Sequence, residues 1–432
     1  MTSRFRVGWF AAALCCGLIA CAAAAEPAHL VRVVVLQRHG VRAPAAAADR
    51  LLKSFGRPTV AWSVPPGELS PHGAGTMRLM GAHLRAVYAA DGLFPATGCP
   101  GSDPAFVWAD NAYERTRASG DALLAGMFPG CEYQARYAPL TAPDPIFSPP
   151  DSKLCPPDPA AEQAAILAEA GGTLAALRPS YAGALDALQR LLDPNACKPN
   201  RISGACLADA PDRLEIKGKG VRIEGALADG STLSEALFLS YAEGQPGLSA
   251  ADVAAIMPLH EIFARILRRP TDSAAQAEGP LVRALLAALA DGSVPALDPA
   301  APAPTAARYV TFLGHDVDLS HLAALLGVDW TLPGEPDKTA PGTALAFELW
   351  QAPDTPPYVR LRLYYMTLDQ LRGLTPIDAA AGANRLDLPI PGCDDGPDGT
   401  CGIARLSGLL TAKLDAACHP PVGDPSPGIV NK

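Results

Sequence analysis

The chain has 432 residues, 49% hydrophobic and 18% charged, with 35 basic against 44 acidic side chains and a formal charge of −9. That composition describes a globular protein with room for one large core or two in contact, and it excludes a disordered chain. The acidic balance gives nucleic acid and anionic membrane no electrostatic reason to bind, so an anionic ligand would need a local pocket of opposite charge. The N-terminus reads as an export signal: Arg4 and Arg6 precede an apolar run, Val7 to Ala20, too short to span a bilayer comfortably. Two processing readings stay open. Ala23-Ala24-Ala25 before Glu26 suits cleavage after residue 25, while Leu18-Ile19-Ala20-Cys21 suits a lipid anchor at Cys21. Residues 1–25 carry two bases and no acid, so their removal leaves 44 acids against 33 bases, or −11. No later stretch is apolar enough to suggest a membrane span.

Leu30 to Gln37 is almost continuously apolar and Val-rich, as in a strand buried on both faces, and runs straight into Arg38-His39-Gly40-Val41-Arg42-Ala43-Pro44. Ser70-Pro71 reads as an N-cap with proline in the first turn, and Met77, Met80, Leu84 and Val87 follow at helical spacing as a core stripe. Ala105 to Ala109 predicts a short strand, followed by a polar loop through Arg115. From Pro156 to Pro280 the chain is Ala/Leu-rich, with helical patterns over 160–177, 182–192 and 233–244. Pro295 to Thr305 reads as a loop returning to a sheet. Tyr309 to Leu313 is a third apolar strand, ending in Gly314-His315-Asp316. Val359, Leu361, Leu363 and Tyr365 alternate with Arg360, Arg362 and Tyr364, as in a half-exposed strand. The expected organisation is a signal over 1–25 and an α/β domain over 26–155 and 281–420. A smaller helical domain is inserted at 156–280, and 421–432 form a disordered tail. Three strands deliver polar residues at their C-terminal ends, the edge where open α/β sheets bind ligands.

Two arginines flank His39 within five residues at the end of a buried strand. Burying that charge is costly unless an anion neutralises it, and no acid lies within the segment. The planar guanidinium fork suits phosphate oxygens, and Gly40 lets backbone N–H groups approach an anion. Arg115 in its polar segment, and the His315-Asp316 pair, are weaker signals alone; the position of the pair after a strand adds weight. No Gly-x-Ser-x-Gly elbow, HExxH or EF-hand spacing is present, so no metal or cofactor is expected. Eight cysteines remain after the signal: Cys99, Cys131, Cys155, Cys197, Cys206, Cys393, Cys401 and Cys418. An even count in an exported chain predicts four disulfides, whose connectivity spacing cannot fix.

These residues resemble the histidine acid phosphatases, in particular the bacterial periplasmic branch of phytases and glucose-1-phosphatases. Arg38–Pro44 matches the family's RHGxRxP element, His315-Asp316 its HD element, and Glu114-Arg115-Thr116 falls where its third phosphate-binding arginine is supplied. Asp91-Gly92-Leu93, Thr331-Leu332-Pro333-Gly334 with Pro336-Asp337, and the eight cysteines extend the likeness over the mature chain. The resemblance implies a phosphoglycerate-mutase-like α/β domain with an inserted helical domain. It also implies hydrolysis of phosphate esters such as phytate or sugar phosphates, with no cofactor or metal, in the bacterial periplasm; a monomer is expected. His39 would be the nucleophile, Arg38, Arg42, Arg115 and His315 the phosphate ligands, and Asp316 the proton donor. Glu235 and His260 would line the substrate cleft. The implied bridges are Cys99–Cys131, Cys155–Cys418, Cys197–Cys206 and Cys393–Cys401. Ala45-Ala46 stand where related phytases often carry Thr-Lys, Val317 where Thr or Ser usually follows the HD pair, and Ala277 where an arginine is often found. Those departures argue against strong preference for a highly phosphorylated substrate. A phosphoglycerate-mutase-type phosphotransferase is disfavoured by the export signal and cysteines, and a non-catalytic phosphate-ester-binding protein by the presence of both His39 and Asp316.

Overall fold

A computed structural model describes residues 27–57, 60–101, 105–148, 158–198, 205–218, 220–291, 307–379 and 382–417. The first half of the chain forms β1 (His29–Arg38), α1 (Ala46–Ser54), α2 (Pro71–Ala90), β2 (Phe106–Ala109), α3 (Glu114–Met127), α4 (Pro159–Glu169) and α5 (Leu174–Leu192). Next come β3 (Arg213–Lys217), β4 (Gly220–Glu224), α6 (Ala226–Ala242), α7 (Ala250–Ile256), α8 (Pro258–Arg268) and α9 (Thr271–Asp291). The remainder supplies β5 (Tyr309–Gly314), α10 (Asp316–Leu326), β6 (Ala344–Gln351), β7 (Tyr358–Tyr364) and α11 (Leu368–Gly373). It ends with β8 (Arg385–Asp387), β9 (Cys401–Gly402) and α12 (Ile403–Ala417).

The apolar run of β1 is the centre of a mixed sheet in the order β2-β5-β1-β6-β7-β8, with β9 also paired to β7. Its side chains alternate between two cores, which is why the sequence shows no polar face. Val34 and Leu36 pack with α9, α10 and α12, whereas Leu30, Val33 and Val35 pack with α2 and α3. Both β1 and β2 pair parallel to β5, in register from Val33 opposite Tyr309 to Arg38 opposite Gly314, while β6 and β7 run antiparallel. The three strands expected to deliver polar residues are therefore neighbours, and their C-termini share one edge. The stripe of Met77, Met80 and Leu84 on α2 is fully buried as expected.

A third core holds the helical region together, from α1 (Ala48, Leu52) and α5 (Tyr181, Leu188) to α6 (Leu233, Leu237) and α8 (Leu259, Ile266). Here the structure departs from the sequence pattern in three ways. The helix expected over 160–177 breaks where Gly171 and Gly172 take φ of 78° and 102°, values that favour glycine. Thr173 then caps α5 by accepting from the Ala176 N–H, and α5 runs through Pro179 to Leu192. Secondly, the region contains the β3–β4 hairpin, whose exposed Arg213, Glu215 and Lys217 hide its apolar positions. Thirdly, Pro280 does not end a helix. Helix α9 crosses it, because Ala274, Ala275, Leu281 and Leu285 are all buried in the core shared with α10 and α12. That burial outweighs the one helix hydrogen bond that proline removes. Near β2, the segment expected as loop through Arg115 becomes helical at Glu114, placing Arg115 in the first turn of α3.

Among the described residues three disulfides join Cys99 to Cys131, Cys197 to Cys206 and Cys393 to Cys401. Cys155 and Cys418, the signal segment, the 295–305 loop and the tail lie outside the described residues. Among the described residues no helix is long and apolar enough to cross a membrane.

The segment after β1 is sewn to the start of α2. Ser70 N–H donates to the Val41 carbonyl at 3.2 Å, and Ser70 Oγ accepts from Gly73 N–H at 2.8 Å. A Cβ on Gly73 would lie 1.9 Å from the Val41 oxygen, whereas one on Gly183 in α5 would meet nothing within 4 Å. Gly73→Ala is expected to destabilise the fold by at least ~1–3 kcal/mol. Gly183→Ala should be neutral or stabilising by up to ~1 kcal/mol. Urea-unfolding midpoints of the two variants check both expectations.

Candidate active site

Strand β1 ends in a guanidinium with no solvent exposure. Arg38 Nη1 donates to Asp337 Oδ2 at 2.8 Å and to the Thr339 carbonyl at 2.6 Å, and Nη2 donates to Glu235 Oε1 at 2.9 Å. The sequence finds no acid within the arginine segment, but the fold brings two acids to it from distant positions. Glu235, on α6, also accepts from Arg42 Nη2 at 3.2 Å, so one carboxylate oxygen ties both arginines. His39, between them, is buried and held by backbone bonds to Gly314 and Gly342, each at 3.0 Å. Its Nδ1 lies 2.8 Å from the Gly40 carbonyl, which can only accept. Nδ1 therefore carries the proton, and Nε2 keeps its lone pair.

The neighbouring strand ends supply a second cluster. His315, directly after β5, has Nε2 2.8 Å from Asp110 Oδ2, the residue directly after β2. Its Nδ1 faces Arg115 Nη2 at 3.4 Å, and its ring meets the His39 ring edge to face at 5.6 Å. Arg115 stacks over Tyr113 at 3.9 Å from the ring centroid. Asp316, the first residue of α10, accepts from Arg268 Nη1 at 2.6 Å, with His260 Nε2 4.0 Å from the same oxygen. His260 is itself buried, with Nδ1 3.2 Å from Ser231 Oγ. The structure thus gathers all eight sequence-expected residues in one cleft: Arg38, His39, Arg42 and Arg115, with Glu235, His260, His315 and Asp316.

Sequence reasoning missed three members. Asp110 was visible as the first polar residue after a strand ending at the ligand edge. Asp337 lay in a segment noted only for its likeness. Arg268 sits in the last turn of α8 beside Arg265 and Arg269, where cations commonly complement a helix terminus. Ala277, where an arginine was looked for, is exposed on α9.

Charge sets the protonation states. Burial, then Arg115, Arg38, His315 and Arg42, hold His39 well below the ordinary imidazole value. Burial raises Asp316, but Arg268, Arg38 and His260 outweigh it and keep its carboxyl well below the usual range. Burial and Arg42 press Arg115 down to about 10, still charged at neutral pH. The Nε–H groups of Arg38, Arg42 and Arg115 are buried and have no acceptor among the described residues. Three unspent donors around a neutral imidazole form an anion-binding arrangement.

Residues 29–177 and 244–364 match the sequence profile of the histidine phosphatase superfamily (branch 2). The chain belongs to that family. Within it, phytase AppA of Escherichia coli is 31% identical over 404 residues, covering 90% of this chain and 93% of that protein. A glucose-1-phosphatase of Salmonella typhimurium is 26% identical over 404 residues, covering 89% and 92%. Among solved structures, Hafnia alvei phytase in complex with tartrate superposes with a TM-score of 0.82 at 32% identity, covering 91% of this chain and 99% of that one. The mixed sheet with its helical region is thus a phosphatase fold of this superfamily.

The state of His39 has a measurable cost. An unfolded chain takes up a proton on this ring below about pH 6.5, while the folded one does not. Stability therefore falls as pH drops through that value and levels off below the folded pKa. His39→Gln removes the penalty, so its stability relative to wild type should rise by about 1 kcal/mol per pH unit from about pH 6 to 5. Thermal melts at several pH values check this; a pH-independent difference would mean that the ring titrates normally.

Proposed function

We propose that this histidine phosphatase hydrolyses phosphate monoesters in two steps, through a phosphohistidine at His39. The observation that carries the proposal is the set of three buried Nε–H donors, from Arg38, Arg42 and Arg115, around an imidazole whose Nε2 is unprotonated. In the first step Nε2 attacks phosphorus in line: the N–P bond forms as the ester P–O bond breaks, and Asp316 gives its proton to the departing oxygen. In the second, water attacks the phosphohistidine while Asp316 accepts its proton, releasing phosphate and restoring His39. The guanidinium groups hold the non-bridging oxygens and stabilise the charge spread over them in the transition state. His315 lines the same oxygens, with Asp110 holding its ring by Nε2. Glu235 keeps the Arg38 and Arg42 forks aimed by binding one nitrogen of each.

The substrates are proposed as several esters, phytate and sugar phosphates among them, since the relatives carry phytase and glucose-1-phosphatase names. The compartment is proposed as the bacterial periplasm. The signal-like N-terminus and the disulfides support export, with lipidation at Cys21 the alternative to cleavage after residue 25.

His39→Ala should lose nearly all turnover, and rapid quenching of wild type with labelled substrate should trap acid-labile, base-stable phosphoenzyme. Full activity in His39→Ala overturns the mechanism. Asp316→Asn is expected to lose about 10²–10⁴-fold on alkyl monoesters. Its loss should be much smaller on p-nitrophenyl phosphate, whose leaving group needs no proton. Equal losses on both would remove Asp316 from the acid role.

A further inference from the structure

A proton donor must hold a proton, yet Asp316 is tied to a guanidinium. Arg268 closes α8, and its Nη1 reaches across the cleft to Asp316 Oδ2 at 2.6 Å. The other ionisable groups facing Asp316 are Arg38 and Arg115 from the β1 and α3 sides, Glu235 from α6, His260 from α8, and His321, which burial pushes down to about 4, further along α10. They differ in freedom. Arg38 has no exposure and three bonds to Asp337, Thr339 and Glu235, so it cannot leave. Arg268 is 14% exposed, and among the described residues its hydrogen bond goes to Asp316 alone. Its neighbour Arg269 pins the chain to Asp329 and the Val328 carbonyl, so the Arg268 side chain can rotate while its backbone stays.

We propose that Arg268 is a substrate-operated clamp, which holds Asp316 as a carboxylate until a second anionic group, beside the scissile phosphate, draws the guanidinium away. The inference rests on the reading of the site given above and, against the expectation drawn from Ala46 and Ala277, names its preferred substrates: esters bearing a further phosphate next to the one removed. When the second phosphate takes Arg268, Asp316 picks up a proton from solvent. It passes that proton to the leaving oxygen as the P–O bond breaks and the bond from phosphorus to Nε2 of His39 forms. A singly phosphorylated ester leaves the clamp closed and reacts only through the small fraction of enzyme already protonated at Asp316. Arg268 also supplies, from α8, the cleft cation that Ala277 does not.

The test compares Arg268→Gln and Arg268→Lys with wild type on phytate and on glucose 1-phosphate, as kcat and KM across pH. For glucose 1-phosphate, Arg268→Gln should move the upper limb of the kcat/KM profile alkaline by roughly one to three pH units, as loss of an adjacent cation frees a carboxyl to hold its proton. For phytate, the same variant should lose roughly ten- to hundredfold in kcat/KM, chiefly through KM, since one charged contact is gone. Arg268→Lys should retain more of the phytate affinity than Arg268→Gln. A merely structural arginine would lower both substrates by one factor with an unshifted pH profile, and that result overturns the clamp. If wild type turns over neither ester, or His39→Ala turns over both, the reading of the site fails instead.

Discussion

A guanidinium without solvent contact must be neutralised inside the protein, and the two carboxylates that do this for Arg38 come from two other parts of the chain. Arg38 itself ends β1, Asp337 stands in the segment before β6, and Glu235 belongs to α6 in the helical region. Breaking such a buried pair by removing one partner costs about 3–5 kcal/mol, so the pair fixes all three parts together. Backbone bonds follow the same path, from Arg38 N–H to the Thr343 carbonyl and from Gly342 N–H to the His39 carbonyl, each at 3.0 Å. His39 stands between these ties. Its backbone is held by charge neutralisation beside it, and its ring by the Gly40 carbonyl and the edge of His315.

The cations of the site, of which Arg38 acts on both groups, serve two demands that oppose each other. They keep His39 neutral, which a nucleophile needs, and they keep Asp316 ionised, which an acid catalyst cannot be. A site with fixed charges alone would satisfy one at the expense of the other. Arg38 is tied at three points and Arg268 at one, so in the proposed clamp one charge is permanent and the other conditional. Placement of the conditional charge on the helical region gives that region a catalytic influence without a reacting atom.

The strands that carry the chemistry were legible because β1 and β5 are uninterrupted apolar runs that stop at polar residues, and burial on both faces leaves no other pattern. Arg38, His39, Arg42, His315 and Asp316 followed from that. Arg38's partners were not legible, since Glu235 and Asp337 lie about two and three hundred residues away and only the closed fold makes them neighbours. Arg268 was hidden for a different reason: three arginines in one helix end read as solvated cations, and only the approach of α10 turns one inward. Helix α9 crosses Pro280 because the apolar stripe on both sides of it is buried, a pattern that local proline propensity does not reveal. Gly171-Gly172 is the converse case, a local signal that tertiary packing did not override.

The ends of the sheet bear on a hazard unconnected with chemistry. A long open strand edge invites pairing with another molecule. Here β2 has four residues, and its outer side is already bonded to Arg136, through Ala109 N–H to the Arg136 carbonyl and Arg136 N–H to the Val107 carbonyl. At the far end β7 meets two fragments in place of one continuous neighbour, β8 of three residues and β9 of two. The Cys393–Cys401 bond anchors β9 in place. Among the described residues the sheet thus presents no run long enough to template a partner strand, so crowding with copies of itself offers it no edge-to-edge route to aggregation.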